Sequence, residues 1–467
     1  MKRFLKFTAP LFAIALFSTF AQDTETDKSK QKTKKRVYEF EYQPQAESAK
    51  RLEWFKDAKF GMMICWGIYS PRGGISPDGK PQKRKYTEWY QKATHLNNEA
   101  YSKLATEFNP TKFDAEKWVL IAKNAGMKYI TFTSKFHDGF AMFDSRYSTF
   151  DVMDKTPFKR DVAMELRKAC DKHGIKLCFY YSHCQDWEQY HAWCTGSWIF
   201  PNRKEEIDHE RYLSEKALPQ VAELCIRYKA DGFRFDTPWF NNGGYKLNRP
   251  VSKRFSELVR ALRPEAIINS RVSHGSGPVK LHADLFDYIS LGDQKILDHQ
   301  LPLYTETPDS VTHSYGYDAR PNKHYRSASL LLNRLIRSVA NNGNYLLNVG
   351  PTGDGEIPPE AQAELKKVGA WLKKNGEAIY GTTPSGLSPE WGVVTNKGNT
   401  VYVFPLKAKD KVIKLTGLKR IILNAKLLSN GESVTISQAE DVVSITVPEN
   451  DSDLPMVIVL RCEGSQL

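Results

Sequence analysis

Asp236 falls near the end of one apolar segment, DGFRFDTPW, and Asp293 closes another, LFDYISLGD. Comparable segments end in His137 and Asp138, in Tyr180 and Tyr181, and in Arg271, and one runs out through Trp66. Carboxylates, imidazole, phenols and a guanidinium therefore recur at one kind of place, the C-terminal end of an apolar run. Charge without a role would scatter along such runs; here it collects at one edge. Two carboxyls on a common rim suit displacement at an acetal carbon. One attacks as nucleophile, and the other, about 5 Å away, serves first as acid and then as base. The His and carboxylate positions show no familiar metal-ligand spacing. The seven cysteines (65, 170, 178, 184, 194, 225 and 462) lack CxxC pairs and are too scattered for a disulfide framework. No metal and no cofactor is expected, and most of the cysteines read as buried free thiols.

The elements that must hold these groups can be read from the hydrophobic pattern. Strand candidates lie at 60–70, 127–136, 175–183, 232–239, 266–271, 285–293 and 344–351. Each is largely apolar throughout, as parallel strands covered on both faces are. Between them run helical patterns such as DAEKWVLIAKNAG, RDVAMELRKACDKHG, DHERYLSEKALPQVAELCIRYK and VSKRFSELVRALRP, two of which close on Gly. This alternation predicts an α/β chain with a (β/α)₈ TIM-like barrel over residues 41–381 and its chemistry at the C-terminal ends of the strands. Beyond it, residues 382–467 show short alternating strands (VYVFPL, VIKL, VSITV, MVIVLR) separated by NKGN, SNGE and ENDSD turns. They predict a small antiparallel β-sandwich, either a carbohydrate binder or a cap packed on the barrel.

A chain of 467 residues suits a barrel plus such a module. Its first 21 residues have a basic start, a short apolar run and small residues at Thr19 and Ala21, which is the pattern of a signal peptide. No Cys follows the cleavage position, so a secreted or periplasmic protein without a lipid anchor or membrane insertion is expected. Residues 22–40 read as a disordered leader. Residues 1–36 hold nine Lys/Arg against three Asp/Glu and so carry six of the formal +13 charges. The remaining basic surface fits an anionic polysaccharide, and no nucleic-acid motif is present. The 10 Trp and 22 Tyr are well suited to stacking on sugar faces.

Several segments, in order, resemble the α-L-fucosidases of glycoside hydrolase family 29. They are EWFKDAKFGMMICWGIYS, TEWY at 87–90, EFNPTKFDAEKW, SKFHDGFAMFDS, GIKLCFYYSHCQDW, ADGFRFDTPW, SYGY at 314–317 and NNGNYLLNVGPTGDGEIP, spanning about residues 50–385. The resemblance implies a retaining enzyme with Asp236 as nucleophile. For the acid/base it leaves two candidates: Asp293, preferred because it lies at a predicted strand tip, and Glu306, which matches a Glu common in the family. An Asp in that role would need its pKa raised by burial or by the neighbouring anion. By the same resemblance Arg271 sits near the carboxylates, Tyr180 bonds near the nucleophile, Glu88 grips sugar hydroxyls, Trp89 stacks and His137 binds the sugar.

Two departures stand out. The family's His-Trp-Gly is Cys65-Trp66-Gly67 here, and its His-His-Asp is Phe136-His137-Asp138. Both lost histidines belong to the set that binds fucose hydroxyls, so Cys65, Trp66 and Phe136 are expected in a remodelled sugar pocket. Arg234 and Thr237-Pro238 are likewise unusual neighbours for the nucleophile. The expected function is exo-release of L-fucose or a fucose-like sugar from glycans or polysaccharides. The alternatives are an α-L-galactosidase acting on sulfated galactan fragments, since L-galactose is L-fucose with a hydroxyl on C6, and a catalytically weak sugar-binding barrel.

Overall fold

Strands buried on both faces should be short, apolar and linked by helices. The computed structural model, which describes residues 46–193, 199–200, 206–236, 249–273 and 283–464, is built this way. Its main sheet has eight parallel strands: β1 (Phe60–Ile64), β2 (Tyr129–Lys135), β3 (Lys176–Ser182), β4 (Gly232–Asp236), β5 (Ile267–Ile268), β6 (Ile289–Ser290), β7 (Thr305–Ser310) and β8 (Gly343–Val349). Their order is β5-β4-β3-β2-β1-β8-β7-β6. The sheet curls until its two ends meet at the parallel bridge Asn269–Tyr288. There Asp287 N–H donates to Ile268 O at 2.8 Å and Ser270 N–H to Tyr288 O at 2.9 Å. The expected α/β barrel architecture is present.

Six of these strands lie within the segments read from sequence, and β8 starts one residue ahead of its segment. β7, with the sequence TETPDS, lies in none of them. Nothing in its composition announces a strand, yet all six residues are buried. Its acids are buried because they are partnered. Asp309 accepts from Arg326, Arg334 and the Tyr345 hydroxyl, and Glu306 from Arg234 and Tyr129.

The helices start and stop where local chemistry directs. Asp114 caps the helix Ala115–Asn124, accepting from Lys117 N at 2.9 Å, and Asp161 caps Val162–His173, accepting from Met164 N at 3.1 Å. Gly174 closes the second helix at φ 69°. Pro219, which has no N–H to give, stands in the first turn of Leu218–Ile226, just after the π-helical turn Leu213–Ala217.

The C-terminal region forms a five-stranded and a three-stranded antiparallel sheet. Their inner faces share one apolar core that includes Val401, Val403, Ile413, Leu415, Val443, Ile445, Ile458 and Leu460. The region packs against the barrel's last helices. Trp371 Nε1–H donates to Pro455 O at 2.7 Å, Ser329 Oγ to Asp453 O at 2.6 Å and Tyr402 OH to Glu377 Oε1 at 2.7 Å. Six cysteines, Cys65, Cys170, Cys178, Cys184, Cys225 and Cys462, are buried free thiols. Cys194, Thr237-Pro238, the expected signal peptide and the leader lie outside the described residues. Among the described residues no helix is long and apolar enough to cross a membrane.

Candidate active site

Side chains of a strand alternate between faces, so residues two apart share the barrel interior. On β4 this sends Arg234 and Asp236 to one side. On β1 and its continuation it pairs Met63 with Cys65. These residues, with Tyr180 from β3, line a cavity of about 120 Å³ completed by Arg84, Tyr86, Glu88, Trp89, Phe136, His137, Arg271, Asp293 and Tyr315. That volume is close to the ~150 Å³ that houses one six-membered ring in an engineered cavity.

Asp236 is held from two directions. Its Oδ1 accepts from Arg271 Nη1 at 2.5 Å and its Oδ2 from the Tyr180 hydroxyl at 2.8 Å. Burial, the largest single influence, would push its pKa up, but the charge and hydrogen bond of Arg271 together with His137 and Arg234 outweigh it and hold the carboxyl below the usual carboxylate range. Arg271 sits on the turn Ser270–Val272 that follows β5, and it reaches a second carboxyl. Its Nη2 donates to Asp293 Oδ1 at 3.1 Å and to Leu291 O at 2.9 Å. One planar guanidinium thus touches both carboxyls and holds them at the same end of the cavity. Asp293 is the more open of the two, with 38% of its side chain exposed against 14% for Asp236.

Glu88 stands apart from this pair. It lies on the turn Thr87–Trp89, and its Oε2 accepts from Gly316 N at 2.8 Å and Ser314 Oγ at 3.2 Å. Ser314 Oγ also accepts from Thr87 N at 2.9 Å, so the TEWY and SYGY segments dock on each other. Burial pushes the Glu88 carboxyl up to about 7, against the pull of the Gly316 hydrogen bond.

His137 forms a wall with Trp89 (ring centroids 4.8 Å apart), and Trp187 backs Trp89 at 5.3 Å. The His137 Nδ1 lies 2.7 Å from Ser182 Oγ, whose own proton goes to Gln185 O at 2.8 Å. Nδ1 is therefore the protonated nitrogen and Nε2 is left as an acceptor. Burial lowers the ring's pKa to about 3, so it is neutral at ordinary pH. Phe136 stacks along Tyr180 at 5.9 Å. Cys65 Sγ lies 3.2 Å from the Tyr69 hydroxyl, and burial pushes its thiol well up.

Of the residues expected from sequence, Asp236, Asp293, Cys65, Glu88, Trp89, Phe136, His137, Tyr180 and Arg271 converge on the cavity, and two do not. Trp66 belongs to the opposite face from Cys65. Its fully buried ring packs on Phe108, Phe113 and Trp118 at 5.0–5.5 Å, and its Nε1–H donates to Thr352 O. Glu306 lies in the barrel interior, where its Oε1 accepts from Tyr129 OH at 2.9 Å and its Oε2 from Arg234 Nη1 at 3.1 Å. Sequence reasoning missed Met63, Arg84, Tyr86 and Tyr315 and assigned Arg234 no role. Met63 was within reach, being two residues before Cys65 on one strand. Tyr86 and Tyr315 flank or belong to the docked TEWY and SYGY motifs, whereas Arg84 lay in a basic run that reads as plain surface.

With this geometry in hand, the likeness to known proteins is informative. The family model described as alpha-L-fucosidase matches residues 26–377. Plasma alpha-L-fucosidase of Homo sapiens is 29% identical over 424 residues, covering 85% of this chain and 85% of that protein. Alpha-L-fucosidase isoenzyme 1 from Paenibacillus thiaminolyticus superposes with a TM-score of 0.78 at 30% identity, over 90% of this chain and 100% of the other. An alpha-L-fucosidase GH29 from Bacteroides thetaiotaomicron, trapped as a covalent intermediate in complex with 2-fluoro-fucosyl fluoride, does so with a TM-score of 0.78 at 26% identity. That match covers 92% of this chain and 99% of the other.

Proposed function

Because the chain belongs to the alpha-L-fucosidase family and is a retaining glycoside hydrolase of that type, we propose that it removes single terminal L-fucosyl residues from glycans, with Asp236 as nucleophile and Asp293 as acid/base. The observation that carries this reading is the Arg271 guanidinium, which holds both carboxyls at one end of a cavity the size of one sugar ring.

The cycle has two displacements. Asp236 attacks the anomeric carbon as Asp293 gives its proton to the departing glycosidic oxygen, so the C–O bond to the aglycone breaks and a glycosyl ester of Asp236 forms. Water then attacks the same carbon, loses its proton to Asp293 and frees Asp236, with configuration retained overall. Arg271 and Tyr180 keep Asp236 ionised and aimed, and the neutral His137 offers Nε2 to a sugar hydroxyl. Glu306 is a poor alternative acid, since its oxygens are spent on Tyr129 and Arg234 within the barrel. With residues 1–21 taken as a signal peptide, the reaction belongs outside the cytoplasm.

Met63, Phe136 and Tyr315 make much of the lining apolar, which supports a methyl at C6 and hence fucose over L-galactose. A hydroxyl buried there without a partner costs about 1–3 kcal/mol. The polar spot formed by Cys65 and Tyr69 is the feature that favours the galactosidase alternative. Hydrolysis of para-nitrophenyl α-L-fucoside and α-L-galactoside in parallel tests the reading. Faster release from the fucoside is expected. A clear preference for the galactoside would transfer the assignment to the alternative, and release from neither would leave only a sugar-binding barrel.

A further inference from the structure

The cavity opens beside a second, shallower hollow, a groove of about 640 Å³, and Arg84 lines both. The groove also carries Lys80, Lys83, Lys92 and His95, with Asp78 as its carboxylate. Asp78 is already engaged, lying 3.5 Å from Lys80 Nζ. Among the described residues no ion pair is formed by Lys83, Arg84 or Lys92. Glu88, the acid nearest in sequence, points its Oε2 at Gly316 N and Ser314 Oγ instead.

These cations are also held in place. The Arg84 guanidinium carbon lies 4.4 Å from the centroid of the Trp89 ring and Lys92 Nζ lies 5.2 Å from it, so one indole, itself a wall of the cavity, carries both. The Arg84 backbone is fixed as well. Its carbonyl accepts from Arg320 Nη1 at 2.8 Å, and the carbonyl of Lys85 accepts from Arg320 Nη2 at 2.9 Å. Arg320 is in turn paired with Asp318 at 2.7 Å. Holding like charges together is unfavourable, and Glu88, the carboxyl whose field favours the Arg84 charge, has its Oε2 hydrogen-bonded to Gly316 and Ser314 rather than to either cation. Accordingly, burial lowers the pKa of Lys92 and the Arg84 charge lowers it further. An anion in the groove would relieve both and gain charge-assisted hydrogen bonds to Arg84, whose planar donor fork suits oxyanions.

We propose that this groove is a binding site for an anionic group, a sulfate ester or a uronate carboxylate, on the sugar next to the one removed, gripped by Arg84 and Lys92 with Lys83 as an outer charge. The inference rests on the functional reading above and deepens it, since it makes the natural substrate an anionic glycan rather than a neutral one. The cavity takes the terminal ring, and the adjoining groove receives its neighbour.

The test uses the full chain and four substrates: para-nitrophenyl α-L-fucoside, a neutral fucosyl-galactose disaccharide, the same disaccharide sulfated on galactose, and fucosyl-galacturonic acid. At low salt, kcat/KM for a charged disaccharide should exceed that for the neutral one by about tenfold, mostly through KM. The advantage should shrink towards unity as ionic strength rises from ~0.02 to ~0.5 M, and it should vanish in the Arg84→Gln/Lys92→Gln double variant. The ratio is read within each variant, so any change in its overall activity cancels. Whichever charged disaccharide shows the advantage identifies the anion. Equal rates on all three disaccharides, with the aryl fucoside still cut, would overturn the anion site and leave the fucosidase reading intact. An advantage that survives in the double variant overturns it too. If nothing is hydrolysed the functional reading fails, and calorimetric binding of the sulfated against the neutral disaccharide then decides the groove: tighter binding of the sulfated sugar sustains it and equal binding removes it. Dextran sulfate binding as tightly as the sulfated disaccharide would mark a nonspecific basic face and also overturn the proposal.

Discussion

At the scale of single residues the site depends on which carboxyls carry charge. Asp236, kept ionised with the help of Arg271, is the proposed nucleophile, so Asp236→Ala should lower turnover of an aryl fucoside by about 10³-fold or more without loss of fold. Rates on the aryl substrate beside circular dichroism would show this, and near-normal turnover would remove Asp236 from the role. Glu88 makes the opposite kind of statement. Its ordinary pKa of 4.5 rises to about 7 on folding. Between those two values the folded protein keeps a proton that the unfolded chain has lost, so stability falls as pH rises, by about 3 kcal/mol for this group alone. Glu88→Gln can still accept from Gly316 and Ser314 but has no charge to bury. Relative to the wild type it should therefore gain stability from pH 5 to pH 7.5, as read by urea unfolding at both values. Parallel pH dependences in the two proteins would refute the account. Asp138, which burial raises to about 6, contributes equally to both proteins and cancels in the difference. Motif position was enough to find most cavity residues before the structure, but it failed at Trp66. The family motif joins Cys65 and Trp66, whereas the pleat of the strand separates them, sending one into the cavity and the other into a pack of aromatic rings.

Elements decide whether those residues meet. The TEWY turn is held by the SYGY segment through Gly316, where a Cβ would stand 2.7 Å from Thr87 Oγ1 and 3.0 Å from Glu88 N. Gly316→Ala must therefore push the two segments apart, shifting Glu88 and Trp89 together. We expect kcat/KM on aryl fucoside to fall by about tenfold or more, mainly through KM, with a stability loss of about 1–3 kcal/mol. Kinetics and thermal melts of the variant report the two effects separately, and unchanged KM would mean that the turn is not a sugar contact. Strands were legible where their residues were apolar, as in KLCFYYS of β3, and boundaries suffered where strands were only two residues long, as at β5 and β6. β7 was illegible for a physical reason. Its acids are tolerated in the interior only because arginines and tyrosines from other elements neutralise or bond them, and no local pattern records partners so distant in sequence. Glu306 looked like a catalytic candidate for the same reason: a conspicuous acid whose partners could not be seen.

At the scale of the whole molecule the C-terminal sheets and the barrel divide the work. Among the described residues, every one lining the cavity precedes Leu330, and the C-terminal region meets the barrel elsewhere, on the helices Ala328–Ala340 and Pro359–Asn375. Trp371 is the clearest anchor. Its ring is only 5% exposed, and its Nε1–H is bonded to Pro455 O. Trp371→Ala removes a large buried ring and leaves the Pro455 carbonyl without that donor, so a loss of about 3–5 kcal/mol is expected, seen as a lower melting temperature and an earlier urea midpoint. The cavity is untouched by that change, so kcat and KM per folded molecule should stay at wild-type values on both the aryl fucoside and a longer glycan. The comparison of substrates is what separates the two roles open to these sheets. If they are a cap, stability falls and neither KM moves. If they also hold the glycan, KM for the longer substrate rises while that for the aryl fucoside does not, because only the longer chain reaches beyond a cavity sized for one ring.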